Sequence, residues 1–455
     1  MKRYISYIVL LSFVLGLSSC GLYGKYKPVE QVDSTLFGEA QLSDTALNIG
    51  LVSWREVFTD PALQALIDTA LVHNYDLRIA HEHVGQAKAM VLGAQLAYLP
   101  SVAIAPSGSF SPQHGIQAGT YDLVAQASWE IDIFGRTLNS LRRSKAARQQ
   151  MMDYEQAARC GLIAGVAETY YTLLMLDAQL EVAQQTAAVW DRTVASIRRM
   201  KAAGLATEAG VAQLEATHFA IQTTVLDLQS DIHEVENVLC FLTGSTRHTV
   251  LRSRLDEQVP FARTDVGLPV QVLYQRPDVR AAQMTMAQAH YARQLATANC
   301  LPSLNLGGLF GWTNHNYNVV LDPMTMISRL TASLFVPVFN SGRNIAQVRA
   351  AKSQQEEARL QFAKVVLNAG NEVNQALVDI QTAQGKAALY DRQVEALTRA
   401  QDVTQRMKSY SNTTYLEVLT AQNNLLQAQF ARIANQMDLL TSTVALYHAL
   451  GGGGE

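Results

Sequence analysis

Two long stretches without proline constrain this chain more than any other feature. All eleven prolines lie outside residues 113–259 and 338–455. A proline inside a helix costs about 3 kcal/mol, so long helices can form only in such stretches. Residues 136–201 and 343–408 are rich in Ala, Leu, Gln, Arg and Glu, and the apolar residues in 136–201 recur at three- and four-residue spacing. A helix of that length spans roughly 100 Å, so a compact globular domain cannot contain it.

A return helix is expected after each long helix. Short breaks at 203–207 and 410–414 are followed by helical sequence at about 208–243 and 415–449. Each pair is predicted to form an antiparallel helical hairpin. Shorter helices are predicted at about 61–97 and 270–299, the first with Asp60 as N-cap and Pro61 at its first position.

The chain is internally duplicated. Residues 76–80 match 278–282 and residues 99–101 match 301–303, each pair 202 positions apart, while Gly244 and Gly451 belong to a set 207 positions apart. Two copies of about 200 residues indicate a duplication and not a short-period solenoid. The expected division is a signal peptide (1–19), an N-terminal anchor segment (20–60), repeat 1 (61–243), a connector (244–269), repeat 2 (270–450) and a Gly-rich tail (451–455).

Strand-like alternation occurs between the short helix and the long helix of each copy. Residues 121–133 alternate apolar and polar side chains, and weaker alternation appears at 102–104, 304–312 and 330–338. The segments near 106–120 and 313–325 are expected to be loops that join the strands of each pair. Long alternating strands are typical of a transmembrane barrel wall, although a soluble sandwich sheet also alternates.

The number of strands favours a barrel to which several chains contribute strands. Four strands cannot close a barrel, because the smallest have about eight. Open sheet edges cannot lie in lipid, since their backbone groups would lack partners. The fold is therefore predicted to be mainly α with transmembrane β. A trimer would build a 12-stranded barrel that continues into 12 hairpin helices.

The N-terminus has the pattern of an export signal. Lys2 and Arg3 precede an apolar run at 5–17, and Leu17-Ser18-Ser19-Cys20 ends it. This resembles a bacterial lipoprotein lipobox, which implies lipid attachment at Cys20; an ordinary signal peptide cut near Ser19 is the alternative. Of the other cysteines, Cys160 and Cys240 would lie about 12 Å apart along the hairpin, so both are predicted to be reduced.

Composition excludes several classes of protein. Lys plus Arg is 36 and Asp plus Glu is 39, for a net charge of -3, which argues against a nucleic-acid partner. Apolar residues make up 48%, so the chain is not disordered, and its one long apolar run at residues 4–17 is too short for a spanning helix. His81 and His83 are a poor metal pair at a spacing of two, and no catalytic motif is present. We therefore expect neither an enzyme nor a cofactor or metal.

Three segments carry a resemblance to a known family. They are Trp129–Arg136 (WEIDIFGR), Gln275–Ala282 (QRPDVRAA) and Pro337–Arg343 (PVFNSGR). The chain resembles the TolC-like outer membrane factors over about 54–451, and within them the lipoprotein branch that serves resistance-nodulation-division (RND) efflux pumps. The resemblance implies a lipid-anchored homotrimer in the outer membrane that extends into the periplasm, with an equatorial belt formed by segments 20–60 and 244–269. It would be the exit duct for drugs or toxic compounds, docked to a periplasmic adaptor and an inner-membrane RND-type transporter.

The resemblance also implies roles for particular residues. Gly204, Thr207, Ser411, Thr413 and Thr414 occupy the hairpin turns that would contact the adaptor, although turn chemistry alone explains such residues. Glu417 and Thr420 lie where relatives place a periplasmic gate, and three Glu417 carboxylates would attract cations; a solvated helix residue is the alternative for Glu417. The basic residues Arg136, Arg142, Arg143 and Lys145 would contact inner-leaflet phosphates, or form a solvated face.

Two other classes of protein are alternative interpretations of the sequence. A periplasmic adaptor lipoprotein also has helical hairpins, but normally one per chain. A surface structural lipoprotein would lack paired hairpins of equal length.

Overall fold

The computed structural model describes residues 24–28, 52–113, 116–246, 250–260, 270–315, 326–408 and 415–452. Its helices and strands are, in chain order, α1 (Trp54–Val57), α2 (Pro61–His73), α3 (Tyr75–Leu96), β1 (Ser101–Gln113), β2 (Ile116–Ile131), α4 (Arg136–Ala202), α5 (Glu208–Thr243), α6 (Pro277–Ala298), β3 (Ser303–His315), β4 (Met326–Phe335), α7 (Arg343–Lys408) and α8 (Tyr415–Ala449). Short 3-10 helices occupy Leu255–Glu257 and Val270–Gln275.

The chain folds as two compact units. The sheet unit comprises Glu82–Asp153 and Arg280–Val365 with the N-terminal residues up to Gln31, and the helical unit comprises Val32–His81, Tyr154–Val279 and Val366–Glu455. Most described residues are helical and the rest of the regular structure is one sheet. The prediction of a mainly α fold with a smaller β part is confirmed.

The predicted long and return helices match the structure to within a residue. α4 has 67 residues and α7 has 66, and α5 and α8 begin and end where the sequence places them. α5 is preceded by Thr207, whose side chain accepts a hydrogen bond from the Gly210 N–H, and is followed by Gly244 in the left-handed conformation. A capping hydroxyl at one end and a left-handed glycine at the other explain the sharp boundaries.

The duplication is visible in the backbone. Gly135 and Gly342 precede α4 and α7 with φ of 72° and 75°, and Gly244 and Gly451 follow α5 and α8 with φ of 63° and 78°. A Cβ at Gly244 would lie 2.7 Å from the His73 carbonyl oxygen, so that position also excludes a side chain on steric grounds. Both copies therefore use glycine for the same turns.

The helix predicted at 61–97 is two helices. Asn74 has extended backbone (φ −59°, ψ 130°) and ends α2. Its side chain accepts from the Leu77 N–H at 2.9 Å, capping α3, and donates to the Leu242 carbonyl at 2.9 Å. This tertiary hydrogen bond offsets the loss of helical continuity, and the sequence pattern alone did not show it. Asp60 and Pro61 begin α2 as predicted.

The sheet is antiparallel with strand order β1-β2-β3-β4. Two bounds differ from the sequence prediction. Pro106 pairs with Leu123 inside the β1–β2 ladder, so the loop placed at 106–120 was wrong; residues 316–325 of the second loop lie outside the described part of the chain. β4 ends at Phe335, before Pro337, although alternation suggested 330–338. Proline cannot donate to a sheet ladder, which explains the early end.

A buried cluster joins three helices of the helical unit. Trp190, Val194 and Ile197 of α4 pack with Val211, Leu214 and Ile221 of α5 and with Leu419 and Leu426 of α8. Trp190 and Ile197 are almost completely buried. This apolar packing holds the hairpin of α4 and α5 together and joins it to α8.

The three described cysteines carry free thiols. Cys160 and Cys240 are both buried, as the sequence analysis predicted for reduced core residues.

None of the helices in the described ranges has a run that is long and apolar enough to cross a membrane.

Candidate functional site

The sheet has one apolar face and one polar face. Directly opposite residues of neighbouring strands share a face, and the rows Val102–Ala127–Gly308–Leu330 and Trp129–Leu306–Ala332 are apolar throughout. The alternate rows, which lie on the opposite face, carry Gln126, Ser128 and Glu130 on β2 and Asn305, Thr331 and Ser333 on β3 and β4. The alternation read from the sequence is therefore a real two-faced sheet.

The apolar face is bare in a single chain. Val102, Ile104, Leu330 and Leu334 are each at least 65% exposed. On the opposite face Asp122 accepts from the Thr313 hydroxyl at 2.5 Å and from the Ser107 hydroxyl at 3.4 Å. An exposed apolar surface of this extent marks an interaction with lipid or with other chains.

The WEIDIFGR segment builds the junction between β2 and α4. Trp129 Nε1 donates to the Tyr98 carbonyl at 2.9 Å, and Glu130 binds the Arg136 guanidinium at 2.8 Å. Asp132 accepts from the Leu138 N–H at 2.7 Å, in the first turn of α4. A carboxylate at this position accepts a hydrogen bond from a backbone N–H that has no partner within the helix, and its negative charge interacts favourably with the helix dipole. PVFNSGR builds the equivalent junction before α7, where Ser341 and Gly342 both have positive φ.

The QRPDVRAA segment is a buried ion-pair lock. The Arg276 guanidinium is 4% exposed and binds Asp278 at 2.8 Å and Glu372 at 2.7 Å. It also donates to the Ala449 carbonyl at 2.7 Å, in the last turn of α8. Burial disfavours the Asp278 anion, but the hydrogen bonds and charge of Arg276 outweigh it and lower the pKa of Asp278. Arg276 therefore ties the start of α6 to α7 and α8.

A second network, which we call the Asp60 knot, joins α2, α4 and the segment 250–260. Asp60 Oδ2 accepts from the Tyr170 hydroxyl at 2.6 Å, the Ser253 hydroxyl at 2.7 Å and Gln258 Nε2 at 2.9 Å. Oδ1 accepts from the Ala62 N–H at 2.8 Å and caps α2. Burial opposes ionisation, yet these hydrogen bonds hold the pKa of Asp60 below its ordinary value. Burial and the Asp60 carboxylate raise the pKa of Tyr170 to about 12.

Arg252 fixes the same segment to two helices. Its guanidinium binds Asp177 of α4 at 2.6 Å and pairs with Glu236 of α5. Burial alone would lower the pKa of Arg252, but its hydrogen bonds and charge interactions with the two carboxylates outweigh burial. The pKa of Arg252 therefore lies above its ordinary value. Neither the knot nor this pairing was found from the sequence, which singled out Asp60 only as a helix cap. The side-chain partners of Asp60 lie 110 to 198 residues away, and those of Arg252 lie 16 and 75 residues away on other elements, so neither network leaves a local signal.

The first hairpin turn lies at Ala203–Thr207. Gly204 has φ of 72°, and the Leu205 N–H donates to the Met200 carbonyl at 2.9 Å, which completes a C-terminal cap. Thr207 caps α5. Leu205 is 71% exposed at the turn, and the sequence analysis did not select it. Ser411, Thr413 and Thr414 of the second turn lie outside the described residues, as does Cys20.

Glu417 and Thr420 lie on the exposed side of the first turns of α8. Val418 and Leu419 between them are buried, and Leu419 belongs to the Trp190 cluster. The packing of α8 thus directs Glu417 away from the buried cluster.

The four basic residues near the start of α4 differ in their surroundings. Arg136 is held by Glu130, and Arg142 donates to the Gly24 carbonyl at 3.5 Å and lies 5.9 Å from the centre of the Tyr291 ring. Arg143 and Lys145 are both exposed. Two of the four residues are therefore engaged through contacts described within the chain.

His81 binds Glu155 at 2.8 Å. In the described part of the chain, no group of three or more His, Cys, Asp or Glu side chains is arranged to hold a metal ion.

A sheet with one lipid-compatible face, attached in sequence to pairs of very long helices, defines the class of outer-membrane channel proteins. Comparison with known proteins agrees. The family model described as outer membrane efflux protein matches residues 66–245 and 268–452. The chain therefore belongs to the outer membrane efflux protein family, and it is an outer-membrane transport channel for efflux.

Individual relatives match along most of their length. The chain is 27% identical to the cation efflux system protein CusC of Escherichia coli K12, covering 96% of this chain and 97% of the relative. It is 27% identical to the toluene efflux pump outer membrane protein TtgC of Pseudomonas putida, covering 100% of this chain and 96% of the relative. The open-state MtrE outer membrane channel of Neisseria gonorrhoeae matches with a TM-score of 0.82 at 25% identity, covering 94% of this chain and 97% of that one.

Proposed function

We propose that the chain is one third of a trimeric exit duct in a tripartite efflux pump. The observation that carries this proposal is the four-stranded sheet, whose two edge strands are β1 and β4 and whose apolar face is bare. Lipid cannot satisfy the backbone groups of an open edge, so an inserted sheet must close with other copies. Three copies supply twelve strands, within the range of known barrels.

The helices extend the same argument. Each chain contributes two antiparallel hairpins, α4 with α5 and α7 with α8, so three chains provide twelve long helices for a periplasmic tube. The signal, repeat and connector boundaries predicted from the sequence are part of this proposal, in which each repeat supplies two strands to the barrel and one hairpin to the tube. Family membership selects the duct over the adaptor-type and surface structural alternatives.

The partners proposed for the duct are a periplasmic adaptor and an inner-membrane RND-type transporter. The printed names of the relatives support a pump, since CusC belongs to a cation efflux system and TtgC to a toluene efflux pump. Because these cargoes differ chemically, we assign the cargo only as toxic ions or small organic compounds, including drugs. The adaptor would contact Gly204, Thr207, Ser411, Thr413 and Thr414, and exposed Leu205 gives the first turn an apolar contact.

Glu417 and Thr420 are proposed to line the periplasmic gate. An exposed Glu417 in each of three chains would form a carboxylate ring that favours cations. Planar-bilayer recordings of Glu417→Ala should show reduced cation selectivity and altered open probability. Glu234→Ala, at an exposed glutamate of α5, is the matched control. Identical selectivity and open probability in both variants and the wild type would rule the gate out.

Lipid attachment at Cys20 and phosphate contact by Arg136, Arg142, Arg143 and Lys145 complete the proposal. Because Arg136 and Arg142 have partners within the chain, Arg143 and Lys145 carry most of the phosphate contact. Charge reversal at Arg143 and Lys145 should weaken binding to phospholipid vesicles, and unchanged binding would contradict this part.

The decisive test of the duct is assembly and drug sensitivity. Detergent-extracted outer membranes should contain a heat-resistant trimer that co-purifies with an adaptor and a transporter. A deletion strain should become sensitive to the exported compounds. A monomer in detergent, with unchanged sensitivity of the deletion strain, would refute the proposal.

A further inference from the structure

Five residues near the N-terminus, Gly24–Pro28, contact the sheet unit and form a short segment that we call the strap. The Gly24 carbonyl accepts from Gln294 Nε2 at 3.0 Å and from Arg142 at 3.5 Å. Gln294 is only 8% exposed, so this hydrogen bond lies in a protected environment. The strap is thus fixed at its first residue by side chains of α6 and α4.

Tyr26 fixes the middle of the strap. Its backbone N–H donates to the Tyr291 hydroxyl at 3.3 Å, and its hydroxyl lies 3.9 Å from Met286 Sδ. Its ring centre is 5.9 Å from that of His290. Tyr26 is half-buried while Lys25 and Lys27 on either side are exposed. This alternation is expected for an extended segment lying on a helix.

The strap lies close in the sequence to the proposed lipid attachment residue. Cys20, the lipid attachment residue of the proposed function, precedes Gly24 by four residues. Four extended residues reach at most about 14 Å. We propose that docking of the strap keeps the lipid anchor close to the sheet unit. We call this docking the clip, and we call the residues between Cys20 and Gly24 the leash. This inference rests on the proposed lipidation of Cys20.

The clip changes what the lipid does. A free N-terminal tail would let the trunk move away from its lipid, whereas a docked strap keeps Cys20 within about 14 Å of Gly24, whose carbonyl accepts from Arg142. The effective concentration of the membrane near the sheet falls roughly as the −3/2 power of tether length. A short leash therefore favours insertion of the sheet into the bilayer that already holds the lipid.

Limited trypsin digestion tests the docking. The site after Lys25 separates the N-terminal lipid from the trunk when it is cut, whereas Pro28 protects the site after Lys27. The full-length protein is labelled with an alkyne fatty acid in cells, and loss of label from the trunk is followed in isolated membranes. Cleavage should be slow in the wild type and about tenfold faster in Tyr26→Ala, because local opening exposes the site.

Two further variants keep the digestion interpretable. Tyr291→Phe removes one acceptor and leaves the ring, and should accelerate cleavage by about twofold to threefold. Tyr75→Ala changes a 63% exposed tyrosine of α3 and should match the wild type. Equal cleavage rates in the wild type and Tyr26→Ala would overturn the clip. A wild type that carries no label before digestion would also overturn it, while drug sensitivity of the deletion strain would still report on the duct separately.

A pair of insertions tests the leash. Six Gly/Ser residues placed between Leu22 and Tyr23 lengthen the leash from about four residues to about ten, which lowers the effective concentration about fourfold. The rate at which heat-resistant trimer appears after a pulse of synthesis should fall by about that factor. The same insertion after Pro28 leaves the leash unchanged and should leave the rate unchanged. Equal rates for the two insertions would overturn the role of the leash.

Discussion

Removing the Asp60 carboxylate is the most informative perturbation of the helical unit. Asp60→Ala deletes the N-cap of α2, which costs about 1 kcal/mol. It also leaves the fully buried Tyr170 hydroxyl without its strongest acceptor, which costs about 1–3 kcal/mol. The expected loss of unfolding free energy is therefore about 2–4 kcal/mol. Asp60→Asn keeps the shape and the cap but loses the charge, and should cost about 1–2 kcal/mol.

Urea unfolding of the detergent-solubilised protein, followed by tryptophan fluorescence, measures these losses. Trp190 is 1% exposed and reports on the core of the helical unit. Because unfolding of large assemblies is often irreversible, unfolding rates at fixed urea are compared alongside midpoints. Asp68→Asn is the matched control: it removes an exposed ion pair with Arg55 on the same helix as the cap and should cost less than about 0.5 kcal/mol.

A double-mutant cycle and a pH series distinguish loss of the hydrogen bonds of the Asp60 knot from nonspecific destabilisation by the substitutions. Asp60→Asn and Tyr170→Phe should be coupled by about 1–2 kcal/mol, since the two groups share a hydrogen bond. The folded-state pKa of Asp60 lies below its ordinary value of 3.8, so the stabilisation is present above that value and is lost as pH falls through the folded pKa. The difference between the wild type and Asp60→Asn should therefore begin to shrink as pH falls below 3.8 and should vanish below the folded pKa. Absence of coupling, or a cost for Asp60→Ala equal to that of Asp68→Asn, would refute the reasoning.

Substitutions at other sites should alter stability in defined directions. Gly244→Ala should destabilise by about 1–3 kcal/mol because of its left-handed backbone and crowding, whereas Gly161→Ala, in open space within α4, should stabilise by about 0.5–1 kcal/mol; opposite shifts in urea midpoint check both. Burial, with nearby cationic arginines, holds the pKa of His290 below its ordinary value of 6.5, so stability is lost as pH falls below that value, and His290→Gln should flatten the loss of urea midpoint between about pH 7 and 5. Arg252→Met should cost about 2–3 kcal/mol by leaving buried Glu236 without its arginine partner, and adding Glu236→Gln should restore much of the loss; no recovery would contradict the pairing.

Local chemistry explains why so many boundaries could be predicted. Proline is excluded from helix interiors, Thr207 caps α5 and Gly244 ends it, and each acts within a few residues of its own position. The same locality made the two faces of the sheet readable, because side chains alternate with period two. The Arg276 lock was recognised only as a family signature, since its partners Glu372 and Ala449 lie far along the chain.

The sequence by itself determined the duplication, the long hairpins and the alternating strands of this efflux channel, because each depends on spacing and on residues that permit or forbid a backbone conformation. Only the tertiary structure decided which polar residues meet. Asp60 is a cap in the sequence and the centre of a network in the fold. Tyr26 and Gln294 lie far apart in the chain, yet both belong to the attachment of the strap. Such contacts depend on long-range packing, which brings together groups that no local pattern connects.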